Sequence, residues 1–139
     1  MRLTTERVTL AELVVGLPDL GTVSGEMDAE VVVDPQHFRR ILRDLWWAAG
    51  LPPEPRGRRL EVAVIDPWVE VRVRRDAEPI EPRVLQALFD PFDVNDDATG
   101  VTIGLYLARA LVVAHGGTLG VEQDDEGAVL WVRVPQRKR

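Results

Sequence analysis

The clearest hydrophobic pattern in the chain follows Asp34. Apolar side chains then recur at i, i+3, i+4, i+7, i+8 and i+11: Phe38, Ile41, Leu42, Leu45, Trp46 and Ala49. Asp34 supplies a helix N-cap, and Pro35 is suited to the first turn. The pattern predicts a helix from Pro35 to about Ala49, with one stripe facing a core.

The rest of this predicted helix carries two kinds of candidate residue. Asp44 and Ala48 flank the apolar stripe, one helical turn apart. Trp47 points nearly opposite the centre of the stripe, with Arg40 and Arg43 as neighbours. Because Trp and Arg are typical interface anchors, these three residues are a candidate partner-binding surface. Cover of Trp47 by the loop that follows the helix is the alternative.

The other predicted elements are short helices and strand pairs. Thr9 and Glu12 have capping-box spacing and begin a first helix that ends before Pro18. Further helices are predicted over 82–89 and 101–115, with a polar candidate lid over 93–99 between them. Period-2 runs bounded by turn residues predict strands over 30–33, 60–65, 69–74, 118–122 and 128–134.

These elements lack a regular strand-helix-strand alternation and instead contain antiparallel hairpins, around Asp66-Pro67 and around residues 124–127. We therefore predict an α+β fold: a two-layer sandwich whose mixed sheet is covered on one face by about three helices. The helix over 101–115 is apolar nearly all round, which predicts that it is sandwiched between layers. Gly116-Gly117 is a typical helix ending.

Composition narrows the possible functions. The chain has 139 residues and is 45% hydrophobic, so one domain spanning 1–139 is expected. A net charge of -6 argues against nucleic-acid binding. No apolar run approaches the roughly 20 residues that span a bilayer, so no membrane insertion is expected. The absence of cysteine fits a reducing compartment, and a cytoplasmic location is expected.

Two segments in the second half of the chain match a known pattern. Residues 85–92 read L-x-x-L-F-D-P-F, and residues 114–117 read A-H-G-G before a predicted strand. In this order and spacing they resemble the L-x-x-I-F-E-P-F and L-H-G-G segments of the catalytic ATP-binding domain of histidine kinases. That family belongs to a superfamily with gyrase, heat-shock protein 90 and mismatch-repair ATPases. The resemblance covers nearly the full chain and sets a register for the nucleotide-binding motifs.

In that register the residues expected to hold the metal and phosphates are changed. The family's N-box reads N-L-L-x-N-A, and its second Asn ligates Mg²⁺. Asp44 stands at the first Asn position and Ala48 at the second. Alanine offers no oxygen to a cation that requires oxygen ligands. Asp44 is then either a residual metal ligand or a carboxylate on a partly solvated helix face.

The first glycine box of the family, D-x-G-x-G-I, corresponds to residues 75–80, R-D-A-E-P-I. The family Asp accepts a hydrogen bond from the adenine amino group, whereas Arg75 has only donors. Ala77 and Pro79 replace the two glycines, and proline also removes a backbone donor. A one-residue slip would give Asp76 the adenine role but would break the register set by Ile80.

The second glycine box, G-T-G-L-G-L, reads G-V-T-I-G-L over residues 100–105. Gly100 and Gly104 are kept, and Thr102 replaces the middle glycine where bare backbone approaches the phosphates. The two kept glycines serve either phosphate binding or close helix packing. Carboxylates in the loop before this box, at residues 93, 96 and 97, would repel a triphosphate.

Two functional hypotheses follow from the resemblance. In the first, the chain is a degenerate ATP-binding module that binds no ATP or Mg²⁺ and docks onto a histidine kinase dimerisation domain, a response regulator or a second copy of itself. A side chain such as Arg75 or Glu78 then closes the pocket. In the second, it is a divergent active kinase domain in which Asp44, Asp76 and the kept glycines hold Mg-ATP, and it phosphorylates a histidine on a separate dimerisation domain or chain. Neither His37 nor His115 lies in a phosphoacceptor-like context.

Overall fold

A computed structural model describes residues 2–17, 20–87 and 99–136. The helices are α1 (Leu10–Val15), α2 (Pro35–Ala48), α3 (Pro82–Ala87) and α4 (Thr99–Ala114). The strands are β1 (Glu6–Thr9), β2 (Thr22–Gly25), β3 (Glu30–Val33), β4 (Gly57–Ile65), β5 (Trp68–Asp76), β6 (Thr118–Gln123) and β7 (Gly127–Pro135). Residues 88–98, which include most of the candidate lid and the F-D-P-F segment, lie outside the described residues.

The main sheet has five strands in the order β2-β4-β5-β7-β6. β2 pairs with β4 in parallel, and the other neighbours are antiparallel, so the sheet is mixed. β1 and β3 form a separate antiparallel pair. The predicted α+β architecture with a mixed sheet is confirmed.

Strand alternation determines which residues reach the core. On β5, Val69, Val71 and Val73 are fully buried and pack in one cluster with the apolar stripe of α2. That stripe confirms the helical periodicity, since Phe38, Ile41, Leu42 and Leu45 are all fully buried. Alternate residues of β5 face the opposite side of the sheet, where Glu70 accepts a 2.9 Å hydrogen bond from Arg133 on β7.

The predicted glycine ending of α4 is confirmed. Gly116 has φ of 80°, and the backbone N–H of Gly117 bonds to the carbonyl of Val112 at 3.0 Å. A Cβ on Gly117 would lie 2.0 Å from the carbonyl oxygen of Arg133, so this position also requires glycine for close approach to β7. The turn therefore fixes α4 against the sheet.

The structure differs from the sequence analysis in two respects. β1 and β2 were not predicted, because these four-residue strands are mostly exposed and pair through backbone rather than through an apolar pattern. The prediction that α4 is sandwiched is wrong, since Tyr106 is 44% and Val113 61% exposed. From Leu105 onward, where the side chains of α4 are described, one side packs on the core through Leu105, Ala108, Leu111 and Val112.

Within the described residues, no helix has both the length and the apolar character needed to cross a membrane.

Candidate functional site

Arg75 lies near the end of β5 and is completely buried. It continues the inward register of the buried valines that precede it on the strand. Its guanidinium donates to three backbone carbonyls in the segment after α2: Nη1 to Ala49 at 3.0 Å and Leu51 at 2.7 Å, and Nη2 to Pro53 at 2.6 Å. The side chain therefore connects the end of β5 to the segment that follows α2.

The surroundings of this guanidinium both oppose and favour its positive charge. Burial, and secondarily the positive charge of Arg58, lower the pKa of Arg75, yet arginine keeps its proton in proteins. Its carbonyl partners lie at the carboxyl end of α2, where the helix dipole favours a cation. Nε has no hydrogen-bond partner among the described atoms, so part of the desolvation cost is not recovered.

Asp76 faces the other side of the sheet. Its side chain is 48% exposed and lies 3.7 Å from the guanidinium of Arg59 on β4. Strand alternation puts Asp76 on the side opposite Arg75 and α2. The structure therefore does not bring Asp76 together with Asp44, as a shared Mg-ATP site requires.

The rest of the first glycine-box segment is held by packing. Ala77 and Ile80 are buried, whereas Glu78 and Pro79 are exposed. The side-chain amide of Gln123 on β6 accepts from the backbone N–H of Ile80 at 3.0 Å and donates to its carbonyl at 3.1 Å. Of the two side chains expected to close the pocket, Arg75 is buried and Glu78 is not.

Asp44 and Ala48 lie on α2 as the helical spacing predicts. Ala48 is fully buried. Asp44 is more enclosed than a solvated carboxylate: its Oδ2 is buried without a hydrogen bond, and burial raises its pKa against the opposing charges of Arg40 and Arg43. Among the described residues no group of three or more His, Cys, Asp or Glu side chains could hold a metal ion.

Gly100, Thr102 and Gly104 lie in the first turns of α4, with helical backbone. Their side-chain environment is outside the described part of the chain, so the choice between phosphate binding and packing stays a prediction.

Both histidines have structural contacts. Nδ1 of His115 lies 2.7 Å from the carbonyl of Leu111, and its Nε2 accepts from the backbone N–H of Asp34 at 3.0 Å. His37 lies 3.9 Å from Asp34, the N-cap of α2. A backbone N–H from Thr4 is the main cause of the lowered pKa of Asp34. His115 thus links the end of α4 to the start of α2.

The candidate partner surface is exposed as predicted. Trp47 is 48% exposed, and Arg40 and Arg43 are also exposed on α2. Arg40 lies 3.7 Å from Asp44, one turn further along the helix. Trp46 is only partly buried, and the guanidinium of Arg58 lies 4.6 Å from its ring centroid.

Sequence reasoning missed the partners of Arg75. A signal was present, because positions 69, 71, 73 and 75 share one face of β5 and the first three are valines. An arginine on that inward face needs buried acceptors. The segment 49–53 contains two prolines, which lack N–H groups, and its carbonyls supply those acceptors.

The profile of the family described as histidine kinase-, DNA gyrase B-, and HSP90-like ATPase matches residues 33–138. The chain belongs to this ATPase family. Among curated sequences, this ATPase-family chain is 34% identical over 115 residues to the sensor histidine kinase CusS of Escherichia coli O6:H1, covering 78% of the chain and 24% of CusS. It is 37% identical over 77 residues to the two-component sensor PprA of Pseudomonas aeruginosa, covering 54% of the chain and 8% of PprA.

Solved structures give the same fold for this ATPase-family chain. The catalytic domain of histidine kinase ThkA superposes with a TM-score of 0.76 at 20% identity, covering 96% of this chain and 97% of that one. Full-length ShkA, solved in complex with AMPPNP, gives 0.77 at 20% identity and covers 100% of this chain and 32% of ShkA. The chain corresponds to about a quarter of CusS and a third of ShkA.

Proposed function

We propose that this chain is a degenerate ATP-binding module of a two-component sensor histidine kinase, impaired in ATP binding and acting through protein contacts. The observation that carries the proposal is the buried guanidinium of Arg75, bonded to the carbonyls of Ala49, Leu51 and Pro53. The proposal includes a single domain over 1–139 and a cytoplasmic location.

Arg75 affects adenine binding in two ways. At the family position it replaces an acceptor for the adenine amino group with a set of donors. Those donors are also committed to the segment after α2, so rotating Arg75 out of the way would leave three carbonyls to be satisfied anew. A nucleotide must therefore displace an internal contact rather than enter a preformed site.

The other changed positions lower affinity further. Ala48 is buried and has no oxygen for Mg²⁺, and Ala77 is buried where the family has glycine. Each lost polar contact costs about 1 to 3 kcal/mol, so three cost roughly 3 to 9 kcal/mol. Micromolar to millimolar binding amounts to only about 8 to 4 kcal/mol. ATP affinity of the ordinary kind is then largely lost, and neither ATP nor Mg²⁺ is a bound cofactor.

The contact function is assigned to Trp47, Arg43 and Arg40 on α2. A large aromatic and two arginines exposed side by side are typical of the residues that dominate interface affinity. A histidine kinase dimerisation domain or a response regulator is the proposed partner.

Calorimetric titration with Mg-ATP tests the proposal. We expect no saturable heat from this chain up to millimolar nucleotide, because the losses above place the dissociation constant beyond about 1 mM. ShkA titrated with AMPPNP under the same conditions is the positive control. Binding by this chain tighter than about 1 mM would instead support a divergent active kinase domain.

A further inference from the structure

We infer that the exposed stripe of α2, together with a pocket at its carboxyl end, docks an acidic segment of a partner protein. This inference rests on the proposed function, in which the chain acts through contacts, and it names the chemistry of the partner. The docking face is defined as Arg40, Arg43 and Trp47 with the pocket beside Trp46.

The stripe is continuous along the helix. Gln36, Arg40, Arg43 and Trp47 are spaced i, i+4, i+7 and i+11, and all four are exposed. Arg43 has no ion pair with any residue that the structure describes, whereas Arg40 lies 3.7 Å from Asp44. The guanidinium of Arg43 is therefore open to a partner, although its charge also acts on the neighbouring Asp44.

The pocket lies at the carboxyl end of α2, and its wall includes Trp46, the residue before Trp47. It encloses about 380 Å³ and is lined in part by Trp46, Gly50, Pro55 and Arg58. The Arg58 guanidinium stacks on the Trp46 ring and donates to the Trp46 carbonyl at 2.8 Å, so it is fixed in place.

Charge complementarity indicates an acidic occupant. The docking face presents three arginines, at positions 40, 43 and 58, against two carboxylates. One of these, Asp44, is already close to Arg40; the other, Glu54, lines the pocket. The chain as a whole carries -6, so this is a local reversal of its charge. An acidic segment gains electrostatic attraction at this face.

A second copy of this chain fits the face poorly. In a two-fold dimer whose axis crosses α2 at right angles, the helices run antiparallel and residues near the centre of the stripe face their own counterparts. Arg43 lies near that centre, between Gln36 and Trp47. Two arginines would then oppose each other, so a different protein is the better occupant.

The test is fluorescence anisotropy with a labelled peptide that carries glutamate and leucine, compared with a counterpart in which lysine replaces glutamate. We expect the acidic peptide to bind and the basic one not to bind. Raising salt from about 0.1 M to about 1 M should weaken binding, because the screening length falls from about 10 Å to about 3 Å. Arg43→Glu and Trp47→Ala should each weaken it by at least about tenfold.

Arg74→Glu is the matched control. It makes the same charge change on the sheet face opposite α2, and it should leave affinity within about twofold, since surface charges far apart are screened. Circular dichroism of each variant separates lost contact from lost fold, and Arg43→Ala replaces any variant that unfolds.

Four results would overturn the inference: no binding of the acidic peptide, equal binding of the basic peptide, unchanged affinity in Arg43→Glu, or tighter binding of a single-stranded DNA oligonucleotide than of the acidic peptide. The last would indicate a general polyanion site.

The Mg-ATP titration is scored separately. ATP binding with a working acidic-peptide site would reject the degenerate module alone, and ATP silence without peptide binding would reject this docking face alone.

Discussion

Replacing Arg75 with methionine is expected to lower the free energy of unfolding by about 3 kcal/mol, because it leaves buried polar groups without partners. Methionine fills part of the volume but donates nothing to the carbonyls of Ala49, Leu51 and Pro53. For a domain of this size the midpoint of thermal unfolding should fall by roughly 10 °C. Urea denaturation followed by circular dichroism measures the loss in the free energy of unfolding and the slope of that free energy against urea concentration.

Arg74→Met is the control for that experiment. It removes a guanidinium from the adjacent residue of β5, which faces the other side of the sheet and is only partly buried. Its effect should stay within about 0.5 kcal/mol, as for surface substitutions without special contacts. Equal stability of Arg75→Met and the unaltered chain would show that the buried hydrogen bonds of Arg75 contribute nothing to the free energy of unfolding. The structural argument that Arg75 obstructs adenine binding would then be lost.

The double substitution Arg75→Asp with Ala48→Asn restores the family residues at two positions, yet we expect it to damage the fold rather than restore ATP binding. An aspartate at position 75 places an acceptor among carbonyls that need donors and is too short to reach them. Ala48 is fully buried, so asparagine adds volume and polar atoms to a packed site. The expected loss is at least about 4 kcal/mol, since an unpaired buried charge is added.

Urea denaturation and Mg-ATP calorimetry on the same preparation test this expectation, with each single substitution as a control. A double variant that is as stable as the unaltered chain and binds ATP tighter than about 1 mM would contradict it. That outcome would mean that the segment after α2 rearranges freely once Arg75 is gone.

Much of the fold could be predicted from local patterns. The buried stripe of α2 and the period-2 runs of β4 and β5 each bury apolar residues on one face, which is the information that hydrophobic periodicity carries. The glycine ending of α4 follows from the left-handed φ that Gly116 adopts. β1 and β2 were missed for the complementary reason, as their residues are mostly exposed and their pairing is made by backbone groups that any sequence provides.

The sequence indicated which residues occupy the candidate site positions, but it did not indicate which other residues they contact. The family register placed Arg75 where an adenine-binding Asp is expected, but the strand predicted over 69–74 ended before Arg75 and Asp76, so the faces of these two residues were not predicted. That Arg75 bonds to Ala49, Leu51 and Pro53 depends on a contact between residues more than 20 positions apart. Likewise, the burial of one Asp44 oxygen is set by neighbouring elements and not by its place on the helix.

A site-resolved titration tests most directly whether the nucleotide site of this ATPase-family chain is closed. ¹⁵N-labelled chain is titrated with Mg-AMPPNP while the backbone amides of Ala48, Ala77 and Ile80 and the Nε–H of Arg75 are followed by NMR. We predict no saturable shift in these signals up to millimolar nucleotide. Saturable shifts in the same signals with a dissociation constant below about 1 mM, equivalent to roughly 4 kcal/mol, would contradict the claim.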